Sequence, residues 1–221
     1  MAGLTVARAE ALTGGLSNPS KMPGRAWGLP AAGAACPIGA RLAKVPGTVC
    51  HGCYATKGMY GFRNVREAQA KRFRGVRRAL RDAGYRARWV EAMTLLVGRQ
   101  TFFRWHDSGD VFSLEYLSLI VDVVRATPGT RHWLPTRELL TVRQWMRANG
   151  AFPENLTVRL SLPTVDVSDD AAARVGAVYG LTTSTVRTAG WTCPSSAQGN
   201  ECRDCRACWD PAVPHVSYRK H

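Results

Sequence analysis

Four of the seven cysteines lie within sixteen residues near the end of the chain, a density that is typical of a metal centre. Three of them follow one another at CxxCxxC spacing, so one short loop can present three thiolates to the same centre. Four soft thiolate ligands suit either a tetrahedral zinc ion or a [4Fe–4S] cluster. The consecutive spacing favours the cluster, because structural zinc sites usually use two CxxC pairs separated by a longer arm. The predicted ligands are Cys193, Cys202, Cys205 and Cys208.

A second group has C-x13-C-x2-C spacing and supplies only three thiols, from Cys36, Cys50 and Cys53. Three ligands leave one iron of a [4Fe–4S] cluster open to substrate, water or a cofactor, or they hold a [3Fe–4S] cluster. Two alternatives stay open. His51 can complete a zinc site with the three thiolates, and the CxxC pair can act as a redox dithiol. We favour the cluster for this group too.

Residues 104–110 read RWHDSGD and combine an imidazole with two carboxylates at the end of an apolar strand. Such groups are costly to desolvate unless they bind something, which makes them candidates for catalysis. His106 can act as acid, base or ligand, and Asp107 or Asp110 can hold an amine or a sugar hydroxyl. The alternative is a structural turn in which Asp110 caps the helix that follows.

Around these motifs the chain alternates between apolar strand patterns and helical patterns. Helices are expected over residues 64–83, 86–97 and 139–148, with a further helix capped by Ser113. Residues 26–30 are expected to be extended. The other candidate strands are residues 101–106, 131–136, 156–161, 175–179, 182–186 and 213–218.

This alternation predicts one α/β domain with a parallel sheet, either open or closed into a partial (β/α) barrel. We assign residues 1–35 to an N-terminal loop and extended segment, 36–188 to the partial barrel and 189–221 to the four-cysteine segment. The functional face of such a sheet lies at the carboxyl ends of its strands. The polar residues expected there are His106, Asp107, Asp110, Thr136, Arg137 and Ser161.

The formal net charge of +14 is concentrated between Lys57 and Arg104, a stretch that contains only three acidic residues. A basic face of this kind attracts nucleic acid, with an affinity that falls steeply as salt rises. The predicted DNA or RNA contacts are Arg74, Arg77 and Arg78. The alternative is a solvated arginine-rich surface with no such partner.

Five tryptophans interleave with arginines, which suits either base stacking or an aromatic core. We favour the core. For His132 and His215 we also predict packed positions, because their neighbours are aromatic or apolar. The five tryptophans are Trp89, Trp105, Trp133, Trp145 and Trp191.

No apolar run reaches about 18 residues, and residues 1–30 lack the apolar core of a secretory signal. We therefore expect a cytoplasmic protein without a membrane partner. In that compartment clustered cysteines bind metals more often than they form disulfides. The cysteines are not needed to hold the fold, because a chain of this length can bury a core without them.

Two segments, CHGCYATKGMY and FRWHDSGDVFSLEY, precede the later cysteine cluster. Together they resemble the gene-product-88 family of bacteriophage proteins, and the likeness runs from about Leu29 onward. The resemblance implies a phage-encoded protein that works in the cytoplasm of an infected bacterium.

The architecture also resembles that of the radical S-adenosylmethionine enzymes. That resemblance implies a partial (β/α) barrel whose cluster loop is Cys36, Cys50, Cys53 and the adjacent Tyr54. It further implies that the small-small-acid motif, here Ser108-Gly109-Asp110, binds the methionine amino group of S-adenosylmethionine. The four C-terminal cysteines would hold an auxiliary cluster. Because that superfamily uses C-x3-C-x2-C spacing, the segment between Cys36 and Cys50 must bulge before it returns to the cluster.

The leading hypothesis is therefore a protein with two iron–sulfur clusters, and a radical-SAM-like or redox enzyme if it is an enzyme. Its C-terminal cluster would relay electrons from a donor or anchor substrate. The rival hypothesis is a nucleic-acid-binding protein whose zinc or redox-sensing metal sites are structural. A third is a zinc-stabilised inhibitor of a host protein.

Overall fold

A computed structural model describes residues 3–220, and within them six β-strands and seven α-helices form. Short 3-10 turns fill much of the chain around both cysteine groups. The strands are β1 (Arg25–Trp27), β2 (Phe102–Trp105), β3 (Arg131–Thr136), β4 (Leu156–Ser161), β5 (Thr182–Arg187) and β6 (His215–Arg219). The helices are α1 (Val6–Thr13), α2 (Pro37–Leu42), α3 (Arg63–Ala79), α4 (Ala83–Val97), α5 (Leu114–Ala126), α6 (Leu139–Asn149) and α7 (Asp169–Tyr179).

The six strands form one parallel sheet in the order β1-β2-β3-β4-β5-β6. Each strand therefore lies beside the strand that precedes it in the chain, and the predicted α/β class with a parallel sheet is confirmed. Helices make the connections up to β5, whereas the four-cysteine segment joins β5 to β6. The sheet thus takes β1 from residues 1–35 and β6 from residues 189–221. Among residues 3–220, no helix combines the length and apolar character needed to cross a bilayer.

One face of the sheet packs against helices through alternate strand positions. Trp27 of β1 contacts Trp89, Trp105 and Tyr116 edge-on or tilted, with ring centroids 5.7 to 6.4 Å apart. All four side chains are fully buried in the core, as the sequence predicts for Trp89 and Trp105. Such aromatic contacts add about 0.5–1.5 kcal/mol beyond the area that they bury.

The remaining tryptophans and the two histidines also agree largely with the prediction. Trp145 and Trp133 are buried, whereas Trp191 is half-buried beneath a guanidinium group. His132 is fully buried, and its Nδ1 accepts a hydrogen bond from Trp105 Nε1 at 3.2 Å. His215 packs into the sheet with its imidazole nitrogens 2.9 and 3.1 Å from threonine hydroxyls of β5.

The opposite face of the sheet contacts the chain that links β5 to β6 instead of a helix. Trp209 from that segment lies against Phe102 and Trp133, with ring centroids 5.6 and 5.2 Å away. Its Nε1 donates to the carbonyl oxygen of Phe103 at 2.9 Å. Arg104 and Arg159 also lie on this face, so the four-cysteine segment is fastened to the centre of the sheet.

Two predicted elements are wrong. Residues 175–179 were expected to form a strand from their valine and tyrosine content, but they end helix α7. Ser168 caps that helix and two aspartates occupy its first turn, both of which favour a helix. The N-terminal segment is not all loop, because α1 forms between the Thr5 cap and left-handed Gly14.

Candidate metal centres

All four C-terminal cysteines line one cavity of about 120 Å³ between the segment and β6. A single water molecule needs roughly 10–15 Å³ measured in this way, so the cavity has room for a group of many atoms. Among residues 3–220, no three His, Cys, Asp or Glu side chains are drawn together as ligands of one metal ion. The seven cysteines are all free thiols. The predicted ligands Cys193, Cys202, Cys205 and Cys208 thus converge on one space.

Backbone hydrogen bonds tie this segment to two distant parts of the chain. The amide of Cys193 donates to Ser217 O of β6, and the amide of Cys202 donates to Lys21 O before β1, both at 2.9 Å. The sulfur of Cys208 lies 3.2 Å from Tyr218 Oη. The thiols are therefore positioned by both edges of the sheet rather than by a free loop.

Arg159 of β4 fastens the same segment from beneath. Its guanidinium is fully buried and donates to Thr183 O at 3.0 Å and to Ala207 O at 2.9 Å. Two further carbonyls, of Asp210 and Val213, accept from it at 3.3 and 3.2 Å. Four carbonyls from two stretches of chain are thus satisfied by one side chain.

The thiol of Cys208 is held neutral in the metal-free protein. Burial raises its pKa to about 12, while the Tyr218 hydroxyl and Arg159 act in the opposite direction. Burial also raises the pKa of Cys202. A soft metal binds thiolates, so metal binding at this centre would release protons. Because the protein holds these thiols protonated, the metal itself must supply the free energy that deprotonates them.

The thiols of the three-cysteine group lie near one another beside helix α2. Cys36 and Cys50 both direct their sulfurs toward Gly39 of α2, where a Cβ would lie 2.4 Å from Cys36 Sγ and 3.8 Å from Cys50 Sγ. Cys53 is close enough that its charge helps to raise the pKa of both thiols. The long spacing between Cys36 and Cys50 is taken up by α2 and the turns after it, which is the bulge that the spacing predicts.

Gly39→Ala is expected to disrupt the three-cysteine group selectively. The new methyl group would overlap Cys36 Sγ, and the helix backbone leaves it little room to move. Metal and sulfide analysis should show loss from this group alone. Ala40→Ser, on the next residue of the same helix, is a matched control that should keep full metal content. Full loading of the Gly39→Ala protein would contradict the placement of these sulfurs.

Asp110 and Arg137 border the three-cysteine group. Burial, followed by the negative charge of Asp110, raises the pKa of Cys36 to about 12, and Arg137 acts in the opposite direction. Burial likewise raises the pKa of Cys50, again with Arg137 acting in the opposite direction. Arg137 is the first residue after β3, so its positive charge lies at the carboxyl edge of the sheet.

The Asp110 carboxylate joins β2 to β3. It accepts hydrogen bonds from Thr136 Oγ1 at 2.6 Å, from the Val111 amide at 2.7 Å and from the Arg137 amide at 2.9 Å. A carboxylate has about four acceptor positions, so roughly one is left for a ligand. Asp110 does not cap α5, because Ser113 does so by accepting from the Tyr116 amide, as the sequence predicts.

His106 faces the helices rather than the cysteines. Its backbone is left-handed, with φ of 58°, and its Nε2 lies 2.8 Å from Tyr116 Oη. Burial and the nearby Arg104 charge lower its pKa to about 3, so the imidazole is neutral at pH 7. A neutral ring in this position is suited to fixing the turn after β2 and is poorly suited to donating a proton at neutral pH.

Asp107 is buried beside β1 and close to two tyrosines. Its carbonyl oxygen accepts from Tyr54 Oη at 2.8 Å and lies 3.3 Å from Tyr60 Oη. Its carboxylate oxygen Oδ1 has no hydrogen-bond partner within residues 3–220. A buried acceptor without a partner costs free energy, so this oxygen is a candidate contact for a bound ligand.

Ser108 and Gly109 hold the turn against the chain after β1. Ser108 Oγ donates to Leu29 O and accepts from Gln69 Nε2, each at 2.7 Å. Gly109 has a φ of 77°, and a Cβ there would lie 2.6 Å from Leu29 Cβ, so only glycine fits. In this structure both residues position the motif, and their predicted role in cofactor binding stays a prediction.

Several residues of the site were not singled out from the sequence. Arg104 Nη2 donates to Tyr54 Oη at 3.2 Å, and Tyr60 completes the same contact region. Glu138, buried after β3, accepts from the Ile38 amide at 2.9 Å and so fixes the start of α2. Arg159, which holds the four-cysteine segment, was also not singled out. An arginine inside an apolar strand is the one signal that could have marked Arg104 and Arg159 beforehand.

The predicted nucleic-acid contacts lie together on α3. Arg74, Arg77 and Arg78 are exposed, although two of them also cover rings of the protein. Arg77 lies 5.8 Å from the Phe73 ring centroid and Arg78 lies 4.4 Å from that of Tyr85. The exposed cations along and just after this helix are Arg63, Arg66, Lys71, Arg74, Arg77, Arg78 and Arg81.

A groove of about 680 Å³ opens beside the three-cysteine loop. His51 and Lys57 line it from the loop, and Lys220 lines it from the end of β6. The acidic residue of the groove, Asp166, accepts hydrogen bonds from the amide and hydroxyl of Thr188. The groove therefore presents cations at an open approach to the cysteine group.

A comparison with protein-family models matched the family described as gene product 88 over residues 3–211. No curated protein matched the chain significantly. No solved structure matched it significantly either. The matched range contains both cysteine groups and the RWHDSGD motif, and it spans nearly the whole chain. The chain belongs to the gene product 88 family of bacteriophage proteins.

Proposed function

We propose that this protein is an iron–sulfur enzyme that binds two clusters. The convergence of four thiols on one cavity of about 120 Å³ is the observation that carries the proposal. A cavity of that size suits a [4Fe–4S] cluster better than a single zinc ion, and four thiolates are its usual ligand set. The ligands are Cys193, Cys202, Cys205 and Cys208.

The three-cysteine group would hold the second cluster, either [3Fe–4S] or a [4Fe–4S] cluster with one open iron. Cys36 and Cys50 face each other over Gly39, and Cys53 completes the set. This group lies at the carboxyl edge of the parallel sheet, where ligands bind in α/β folds. An open iron there would meet substrate or cofactor within reach of Asp110 and Arg137.

The strand order supports a radical-SAM-like partial (β/α) barrel. Six parallel strands follow one another in chain order, and crossovers of one hand place their helices on one face. If S-adenosylmethionine binds, it supplies one-electron cleavage of a sulfonium carbon–sulfur bond. The remaining acceptor of Asp110 and the unpartnered Asp107 Oδ1 would bind its amino group, and Arg137 would bind its carboxylate.

Purification without oxygen, followed by absorbance, EPR, iron, sulfide and zinc measurements, tests the proposal. A brown protein with about seven to eight irons per chain would support two clusters. About four irons would leave the three-cysteine group as zinc or free thiols. A colourless protein with stoichiometric zinc would overturn the proposal.

The two centres can be assigned with matched serine variants. Cys205→Ser is expected to remove the C-terminal cluster and leave the EPR signal of the other. Cys53→Ser should do the reverse, because the two groups share no ligand. If either variant abolished both signals while the protein stayed folded by circular dichroism, the assignment to two independent centres would be wrong.

Nucleic-acid binding is a second candidate function, and the exposed cations of α3 favour it. Within α3 the acidic residue Glu67 is already paired with Arg63, at 2.7 Å. The helix therefore keeps a strongly positive outward face. The groove beside the three-cysteine loop adds two further cations, Lys57 and Lys220. The two functions are compatible, since an enzyme that acts on nucleic acid needs both features.

Charge reversal tests this second function. Arg74, Arg77 and Arg78, changed together to Glu, should weaken binding to a DNA or RNA oligonucleotide at least tenfold at low salt. The slope of log affinity against log salt should also become shallower, because fewer phosphates are neutralised. The matched control reverses three exposed arginines of α5, α6 and α7, namely Arg125, Arg147 and Arg174. Equal losses in both triple variants would show general charge attraction instead of a site.

A further inference from the structure

Arg104 of β2 lies between the two cysteine groups. It extends from the sheet face that carries the four-cysteine segment, and its Nε is buried without a hydrogen-bond partner within residues 3–220. No carboxylate of the described chain forms a salt bridge with it. Its charge is therefore not cancelled by a direct ion pair, and it contacts aromatic side chains on both sides.

On one side Arg104 reaches the loop of the three-cysteine group. Its Nη2 donates to Tyr54 Oη at 3.2 Å, and Tyr54 directly follows Cys53 in the chain. Tyr60 lies against Tyr54 with ring centroids 5.7 Å apart. The charge of Cys53 raises the pKa of Tyr60 and that of Arg104 lowers it, so the cation and the thiol act on the same hydroxyl.

On the other side Arg104 reaches the four-cysteine group. Its guanidinium lies 4.5 Å from the centroid of the Trp133 ring, and that ring lies 6.4 Å from Tyr218. Tyr218 Oη is in turn 3.2 Å from Cys208 Sγ. The Arg104 charge also lowers the pKa of both Cys202 and Cys208, whose thiols line the cavity.

We propose that Arg104 is a counter-charge shared by both clusters, and that it raises the reduction potential of each. The proposal rests on the proposed function, because it requires iron at both cysteine groups. Reduction adds one electron from an external donor to a cluster and makes it more negative, so a nearby cation stabilises the reduced form. In a partly buried site this stabilisation is only weakly screened by salt. One residue then sets both potentials together.

Redox titration monitored by EPR, with dithionite as reductant, tests the proposal on Arg104→Gln. Both clusters should become harder to reduce, with at least a tenfold lower reduced-to-oxidised ratio at a fixed applied potential. A tenfold change corresponds to 59 mV for a one-electron couple. Arg137→Gln is the matched control, since Arg137 acts on Cys36 and Cys50 and should shift the three-cysteine cluster alone.

Arg104→His keeps the proposal testable if Arg104→Gln loads iron poorly. An imidazole at this position would lose its charge as pH rises through its pKa, so both potentials should fall together over one and the same pH range in the variant. The wild-type protein, with a permanently charged guanidinium, should lack this joint fall.

The results separate the two proposals. Absence of iron from the wild-type protein would overturn the proposed function. Iron at both centres, with potentials unchanged in the loaded variants or shifted at one centre only, would overturn the shared role of Arg104.

Discussion

Arg159→Met is expected to destabilise the protein strongly and to release the four-cysteine segment. The methionine keeps much of the buried stem but removes the donors to four carbonyls, of Thr183, Ala207, Asp210 and Val213. Each buried carbonyl left without a partner costs about 1–3 kcal/mol. Removal of the buried charge recovers part of that cost, so we expect a net loss of about 3 kcal/mol in unfolding free energy.

The same variant should lose the metal of the proposed C-terminal centre. Ala207 lies beside Cys208, so without Arg159 the end of the CxxCxxC loop is no longer held to the sheet. Thr157→Val is the matched control, because Thr157 lies two residues before Arg159 on β4 and the change removes one hydrogen bond to Trp209 O. That control should cost about 1 kcal/mol and keep the metal. Urea denaturation and iron analysis measure both effects. An Arg159→Met protein with wild-type stability and iron would refute this account of the segment.

Asp110→Asn is the second change with a large expected effect. An asparagine carries an NH₂ group in place of one carboxylate oxygen. In either orientation of the amide, this NH₂ group meets a hydrogen-bond donor instead of accepting from it. Either the Arg137 amide or the pair formed by Thr136 and Val111 loses its acceptor. We expect a loss of about 1–3 kcal/mol of stability. The three-cysteine cluster should also load poorly, because loss of the side-chain link between β2 and β3 loosens the turn whose backbone amide at position 110 holds Ala35, next to Cys36.

Asp82→Asn provides the comparison for that variant. Asp82 caps α4 by accepting from the Tyr85 amide at 2.8 Å, and asparagine caps helices about as well as aspartate. Its stability and metal content should match the wild type. Measured by denaturation and by the EPR signal of each centre, Asp110→Asn should affect the three-cysteine cluster alone. If Asp110→Asn kept its metal content and its stability, the link that Asp110 makes between β2 and β3 would not be needed for either.

Much of the sheet could be predicted because its strands are locally distinct. The strand predicted over 156–161 is β4 with the same bounds, since its apolar and polar residues alternate between helices and the opposite face. The strand predicted over 131–136 likewise has the same bounds as β3, with Pro135 near its end. A strand was wrongly predicted over residues 175–179 because valine and tyrosine favour strands. The residue that caps helix α7, Ser168, lies seven positions earlier and outside that local pattern.

The grouping of the cysteine thiols could be predicted from the sequence, and most of their surroundings could not. Spacing alone groups the thiols, because ligands of one centre must come from chain segments that can meet. Arg104, Glu138 and Arg159 act through contacts with residues at least 24 positions away, and no local pattern reports such contacts. His106 shows the converse, since a polar residue at a strand end was expected in the site and its ring instead packs on α5.

The position of β6 after the four-cysteine segment has a consequence for handling the protein. If the proposed C-terminal metal centre forms, loss of the metal removes one restraint on this segment, and detachment of β6 would leave β5 as the last strand of the sheet. The backbone N–H and C=O groups along residues 183–187 would then face solvent as an unprotected edge. Edges of that kind pair with other chains, so metal-depleted preparations should form β-rich aggregates that metal reconstitution before concentration prevents.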